Sequence, residues 1–505
     1  MNIALNTPAR KRTAAAIVLV IAAAYSLAVT RGIVAVWLFS RAAELSGPAE
    51  LTSLRRAAWL DPGNADYRYH LGRYYDLAAR DPRTAVVHYS EAVRLNPHAA
   101  RYWFDLASAY QVLGDRESQT ASLERAIQAD PMTPDVAWEA ANLYLVRGEN
   151  EKALREFSVV MANDTSLAAT SIQFCWRVDP DVDSLLRDVV PRNPDAYTAF
   201  LAFLQMNADV LLGKVLHPSA DNDTALLTQQ LEQETAGTFK VWDALMQTSQ
   251  PFEVRYVYDY IRFLILHKEV DEAVLAWQQA TARFDLTSYR PSSRNLVVNG
   301  NFSLDVLNNG FDWHYERQPG VSLMLEHSTP QPSEDAAGQT GTVSRLLALF
   351  GDAPAPRRPV RGARPLMIAF DGPSINDAGL YQYVPVQPNT TYEFSAHYKN
   401  KGEQEGAGGP HLTIQDQYTQ AVYYESDELK ENSSNSSASD SEAKDKDKDD
   451  KDNDKDEESW KLVNGEFTTA PDCKLVVLHI RRLPEGLPIR GKLWIDDLRL
   501  VQKPS

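Results

Sequence analysis

The spacing of apolar and polar positions along this chain changes twice. Thr13 to Thr30 is an uncharged run of Ala, Val, Ile and Leu, broken by Arg31 and resumed from Gly32 to Phe39. It has no polar face, so it predicts a helix that water does not line. About 20 apolar residues cross a bilayer, and Arg31 can keep its stem in apolar surroundings while its head reaches an interface. From residue 41 to about 290 the apolar positions recur at helical spacing. From about 294 onward they fall in short alternating runs bounded by Gly, Pro and Asn, which predicts β-strands. The expected class is multidomain α + β. A cytoplasmic tip and transmembrane helix cover 1–40, a helical solenoid covers 41–290, and an antiparallel β-sandwich covers 294–505.

The helical part repeats itself. Leu71, Gly72, Tyr75, Ala85, Tyr89, Ala92 and Pro97 make one unit. Trp103, Leu106, Ala107, Tyr110, Gly114, Ala126 and Pro131 make the next, and Ala140, Ala141, Tyr144, Gly148, Ala153 and Phe157 a third. A half-unit, Ala57 to Pro62, precedes them. Tyr75, Tyr110 and Tyr144 stand 35 and 34 residues apart. The small residues let two helices approach, the aromatics fill the space between them, and Gly114 and Gly148 can end helices in a left-handed turn. One helix pair cannot bury its apolar face alone, so neighbouring pairs must stack. The first unit has one extra residue between Tyr75 and Ala85, and Gln119 replaces the usual small residue in the second. This order and spacing resembles the tetratricopeptide repeat (TPR). From Asp179 to Ala282 the pattern blurs into degenerate repeats, with Ala273, Trp277 and Ala280 as the last recognisable set. The resemblance implies a groove that binds a protein or peptide. Its candidate lining is Arg68, Arg73, Asp105 and Glu139, while Tyr75, Tyr110, Tyr144 and Trp277 are expected to pack inward.

Strands are expected near Leu296–Val298, Phe311–Tyr315, Val321–Leu325, Leu366–Phe370, Leu380–Pro385, Thr391–Tyr398, His411–Gln415, Trp460–Thr468, Lys474–Arg481 and Lys492–Val501. Many short strands of this kind make a sandwich or jelly roll. Asn295 to Phe302 followed by Gly310-Phe311-Asp312-Trp313 resembles the opening of galactose-binding-like, carbohydrate-binding-module-like jelly rolls. Gly379 to Gln382, Pro388 to Phe394, and Leu493 to Leu500 resemble their middle and closing strands. The resemblance implies a possible structural calcium with Asp497 as a ligand, although Ser303 stands where the family often has an acid. It also implies sugar binding, in which an aromatic ring takes the pyranose face and planar polar groups take the hydroxyls. The candidates are Trp313, Tyr315, Tyr381, Tyr383, Tyr423 and Tyr424, with Gln382, Gln415 and Gln417 beside them. Tyr423 and Tyr424 cannot share one face of one strand.

Charge narrows the partners. The net charge is -17, which argues against nucleic acid, because phosphate binding needs clustered Lys and Arg. Asp427 to Glu458 alone carries 14 acidic and 6 basic side chains. This stretch, extended to 427–459, has almost no apolar residue and is expected as a disordered insertion in the sandwich. Asp352 to Pro365 is a second, Pro/Arg-rich insertion. Cys175 and Cys473 lie in different predicted domains, so neither a disulfide framework nor a metal-binding spacing is indicated. Phosphate-binding loops, nucleophile elbows and Rossmann fingerprints are missing from the sequence, and Asp496-Asp497 on one strand would point opposite ways.

Arg10, Lys11 and Arg12 precede the apolar run, which by the positive-inside bias places the N-terminus in the cytoplasm. A cleaved signal peptide, with Ala22-Ala23-Ala24 near its cleavage site, is the competing reading. The sequence expectation is a single-pass protein of a bacterial inner membrane with its bulk in the periplasm. It would be a non-catalytic adaptor that holds a protein through its repeats and a glycan through its sandwich, with surface polysaccharide export or assembly as its expected setting. The alternative is a purely protein-binding envelope scaffold with a structural sandwich.

Overall fold

The computed structural model describes residues 8–218, 223–325, 364–401, 408–430 and 460–504. The Pro/Arg-rich insertion up to residue 363 and the acidic insertion from 431 to 459 lie outside the described residues. The chain divides into two compact units, 1–252 and 253–505.

In the first unit, α1 (Pro8–Ala42) is one unbroken helix. Among the described residues two helices, Lys11–Ala42 and Pro194–Leu216, are long and apolar enough to cross a membrane. The most apolar stretch of α1 buries nothing, whereas its far end is packed. Ala35 and Ala42 are buried with Leu54, Ala57 and Ala58 of α2 (Pro48–Leu60) and with Tyr67 and Leu71 of α3 (Ala65–Arg73). The Phe39 ring lies 5.0 Å from Tyr67 and 4.9 Å from His70. Gly32 to Phe39 therefore serves as the first layer of the solenoid as well as the end of an apolar run.

Helix pairs follow: α4 (Pro82–Leu95), α5 (Ala100–Leu113), α6 (Arg116–Ala129), α7 (Pro134–Arg147) and α8 (Asn150–Asn163). Then come α9 (Ala168–Val178), α10 (Val182–Asp188), α11 (Pro194–Leu216) and α12 (Thr224–Met246). Their boundaries have local causes. Pro82 and Pro134 open helices where a backbone N–H would be unpaired anyway. Asp81 and Asp115 accept hydrogen bonds from Thr84 and Ser118 N–H as N-caps. Gly114 and Gly148, both at φ 74°, end α5 and α7 in the left-handed turn. At Gly72 an added Cβ would lie 2.4 Å from the Tyr89 ring, so only glycine admits this approach of α3 to α4. The extra residue of the first repeat is absorbed as a π-helical turn, Tyr74–Ala78, with Ala79 N–H bonded to Tyr74 C=O at 3.0 Å. Tyr75 and Tyr144 are buried as expected, and Tyr110 packs half-buried against the same core.

The second unit opens with α13 (Arg255–Leu266) and α14 (Val270–Arg283), the pair that the repeat pattern attaches to the solenoid. Its strands are β1 (Trp313–Tyr315), β2 (Val321–Leu325), β3 (Leu366–Ile375), β4 (Asp377–Pro385), β5 (Thr391–Lys401), β6 (Gly409–Asp416), β7 (Val422–Glu425), β8 (Lys461–Thr468), β9 (Leu475–Leu483) and β10 (Leu487–Gln502). They form two antiparallel five-stranded sheets, β1-β4-β9-β6-β7 and β2-β3-β10-β5-β8. Alternation dictates the core. In β5 Tyr392, Phe394, Ala396 and Tyr398 are buried while Glu393 is exposed. They meet Leu380, Val384, Leu412, Ile414, Leu478 and Ile480 of the facing sheet in one apolar cluster.

One expected strand is absent. Leu296–Val298 runs as a turn-rich segment instead. Asn295 holds it beside β10, donating from Nδ2 to Leu498 C=O at 3.0 Å and accepting from Leu500 N–H at 3.0 Å. The short strand β7 was not anticipated.

The α13–α14 hairpin packs on the first sheet. Tyr418 donates its hydroxyl to Ile265 C=O at 2.9 Å, and Lys474 pairs with Asp271 at 2.5 Å. The Trp277 ring, fully buried, lies 6.3 Å from Phe311 and against Gly310, where a Cβ would come within 2.4 Å of the indole.

Candidate functional site

On the first sheet, pairing of β1, β4, β9 and β6 brings His314, Tyr381, His479 and Thr413 into one row on the face turned away from the core. The rings stack across the strands: His314 on Tyr381 at 5.1 Å and 10°, Tyr381 on His479 at 5.6 Å and 27°. Asp377 Oδ2 stands 3.3 Å from His479 Nδ1. The Tyr381 hydroxyl donates to Glu316 Oε1 at 3.3 Å. The next row is Tyr383, Val477 and Gln415. Gln415 accepts from Arg481 Nη1 at 3.3 Å and donates to Gln420 Oε1 at 2.9 Å, and Arg481 also pairs with Glu485.

Burial sets the charge states here. It holds the His314 imidazole below its ordinary pKa, so the ring is neutral at pH 7. Burial raises the Tyr381 phenol, with Tyr383 and Glu316 adding to the effect, and burial raises Tyr383 too. Thr413, Val477 and Gln415 are buried within these rows, while the half-buried Tyr381 and Tyr383 keep hydroxyls that both donate and accept, the chemistry that vicinal hydroxyls require.

Of the expected sugar-contacting residues, Tyr381, Tyr383 and Gln415 share this face. The others do not. Trp313 is fully buried, stacks on Phe302 at 5.2 Å and donates Nε1–H to Asn299 C=O at 3.2 Å. Gln382 is fully buried opposite it. It accepts from Val298 N–H at 3.1 Å and donates to Val298 C=O at 2.8 Å. Tyr315 is half-buried and pairs with the core residue Leu380. Tyr423 stacks on Phe467 at 5.8 Å and Tyr424 packs on Phe394 at 5.4 Å, both against the core. Gln417 is half-buried, its C=O accepting from Gln420 Nε2 at 2.8 Å. The cause is the strand period of two, which sends Trp313 and Gln382 inward when His314 and Tyr381 point outward. His479, Asp377 and Arg481 were not anticipated at this site; their register with Tyr381 is the signal, and it is visible only after pairing.

Asp497 sits at a bulge of β10 at φ 49°. Its carboxylate accepts from Arg499 Nε at 2.9 Å and lies 3.7 Å from His397 Nδ1. The Arg499 guanidinium thus already occupies this carboxylate, where a calcium ion would need it free. Among the described residues no three His, Cys, Asp or Glu side chains gather to hold a metal ion.

In the solenoid, the first helices of adjacent repeats share a polar network. Tyr69 of α3 donates to Asp105 Oδ2 of α5 at 2.6 Å, Tyr102 bonds Asp66, and the Tyr69 and Tyr102 rings stack at 4.6 Å. Arg101 reaches Asp105 at 3.6 Å. Burial, then the bond to Asp105, pushes the Tyr69 phenol up to about 12. Asp76 is raised by burial and by the nearby Asp105. Arg73 also acts on the Tyr69 phenol, lowering it, so Arg73 and Asp105 meet at one tyrosine. Arg68 instead faces His88 and Glu91 of its own repeat, and Glu139 lies a repeat further on, its carboxyl raised by burial and by Asp135. Two residues after each repeat tyrosine stand Leu77, Val112 and Val146, exposed by 65%, 70% and 82%. The sequence expectation missed this stripe, although its 35- and 34-residue spacing is that of the tyrosines.

No protein-family model matches the chain, and no curated protein matches it. Solved structures resemble parts of it. A crystal structure of MamA is 19% identical over 32% of this chain and 88% of its own, with a TM-score of 0.25. A structure from the functional characterization of Pseudomonas aeruginosa pilF is 19% identical over 45% of this chain and 93% of its own, at 0.22. A CBM4 structure is 16% identical over 28% of this chain and 74% of its own, at 0.19. At these identities and scores the likenesses are local.

Proposed function

We propose that the chain is a non-catalytic adaptor anchored in a membrane by α1. Its repeats hold a protein or peptide on the face carrying Arg73, Asp105 and the Leu77–Val112–Val146 stripe. Its galactose-binding-like sandwich takes a glycan on the outward face around Tyr381. The setting is a bacterial cell envelope, with the N-terminus cytoplasmic, the bulk periplasmic, and surface polysaccharide assembly or export as the process served. The observation that carries the glycan reading is the Tyr381 ring between two imidazoles, with Asp377, Glu316, Arg481 and Gln415 in or beside the same row.

The test is titration of the detergent-solubilised full chain against a panel of bacterial polysaccharides, with and without calcium. Saturable binding that Tyr381→Ala abolishes and chelator leaves intact supports the reading. Failure of the whole panel with folded protein leaves the envelope scaffold with a structural sandwich as the function, and recovery of a partner through the repeats becomes the decisive measurement.

A further inference from the structure

The end of α1 that meets the solenoid carries two arginine–indole pairs. The Arg31 guanidinium lies 5.8 Å from the centroid of the Trp59 ring and donates Nη2–H to Leu60 C=O at 3.1 Å. Arg41 lies 5.3 Å from the Trp37 ring. Both indoles are open, Trp59 by 74% and Trp37 by 55%, although indoles are highly buried on average. Ile33 and Val36 beside them are exposed as well.

Helix geometry places these groups. Thr13 to Thr30 spans ~27 Å at 1.5 Å per residue, close to the ~30 Å hydrocarbon thickness of a bilayer. Arg31 then falls where hydrocarbon meets headgroups. Trp37 lies ~9 Å further along, and side chains on a helix lean back toward its N-terminus. Trp59 is held at the level of Arg31, because Ala35, Phe39 and Ala42 pack α1 against α2 and α3. Indoles concentrate at membrane interfaces, and guanidinium binds phosphate by paired hydrogen bonds.

We propose that the α1–α2 hairpin is seated in the lipid headgroup layer, with Trp59 and Trp37 as interfacial anchors and Arg31 bridging Leu60, Trp59 and a lipid phosphate. The solenoid then stands on the membrane in a set orientation instead of swinging on a tether. The inference rests on the reading that α1 spans the bilayer.

Site-directed fluorescence tests it on the full chain in phosphatidylglycerol–phosphatidylethanolamine vesicles. Both native thiols, Cys175 and Cys473, are buried, so Trp59→Cys takes an environment-sensitive dye at one place. Leu77→Cys, at the end of the helix segment that runs away from Leu60, is the control. The expected result is a blue-shifted dye at 59, quenched more by lipids spin-labelled near the headgroup than by those labelled at the chain end, with an aqueous dye at 77. A chain that co-floats with vesicles but whose dye at 59 is as wet as at 77 overturns the seat and leaves the anchor standing. A chain that does not co-float overturns both.

Discussion

Gln382 binds Val298 through both ends of its side-chain amide, accepting from the N–H at 3.1 Å and donating to the C=O at 2.8 Å. These are the two bonds a neighbouring strand would make. The amide lets a turn-rich segment lie against the core without orphaned backbone groups. Gln382→Leu keeps the volume and removes both partners, leaving two buried polar groups unpaired at ~1–3 kcal/mol each. Denaturant titration of this variant is expected to show a loss of ~2–6 kcal/mol in the second unit. An unchanged midpoint means the amide is dispensable.

Tyr381 and Trp313 make an opposed pair of probes. Trp313→Ala empties a fully buried site and is expected to cost ~3–5 kcal/mol. Any loss of glycan binding in it therefore reports unfolding. Tyr381→Ala, on the outward face, is expected to weaken polysaccharide binding at least about tenfold, which corresponds to ~1.4 kcal/mol, with a much smaller shift in melting temperature. Calorimetry on both variants separates the two effects; equal binding by wild type and Tyr381→Ala would remove the ring from the site.

The Asp312 carboxyl is fully buried beside Trp313, with Tyr258 and Tyr289 nearby. Burial pushes its pKa up to about 7, against the bond it accepts from Leu307 N–H at 2.7 Å. A raised acid is more readily protonated folded than unfolded. Its contribution to stability is complete below the unfolded value near 3.8 and is lost as pH rises through about 7. Asp312→Asn keeps the acceptor and removes the charge. Unfolding midpoints of the second unit from pH 4 to 8 are expected to fall for wild type and to fall less for the variant; parallel profiles exclude Asp312 as the source.

Gly310 has φ 66°, and a Cβ there would lie 2.4 Å from the Trp277 indole. Gly310→Ala must strain the backbone and push the ring of α14 from the sheet, at an expected cost of ~1–3 kcal/mol. Faster hydrogen exchange in α13 and α14 than in β9 would locate the damage at the hairpin contact. Exchange that rises evenly through the unit would refute that placement.

Much of the fold is legible in the sequence because its causes are local. The uncharged run at 13–30, the glycines at 114 and 148, the prolines that open helices and the alternation in β5 each dictate an element within a few residues. Even the extra residue before Ala85 is readable as an irregularity, and the structure resolves it as a π turn. Which residues form the site was not legible to the same degree. An aromatic in a strand faces core or solvent according to register, and register depends on a partner strand far along the chain. Trp313 and Gln382 consequently look like Tyr381 and Tyr383 until β1, β4 and β9 are paired. The docking of α13–α14 on the sheet was also hidden, since helical periodicity identifies a buried face without saying what buries it. The sequence alone determined most of the elements, their order and the membrane-length helix, through short-range sterics and hydrophobic spacing; it misplaced a strand at Leu296–Val298 and did not show β7. Tertiary structure alone decided the stacked His314–Tyr381–His479 row, the Gln382–Val298 clamp and the seat of Trp59 on Arg31, because each joins residues whose separation in the chain carries no local signal.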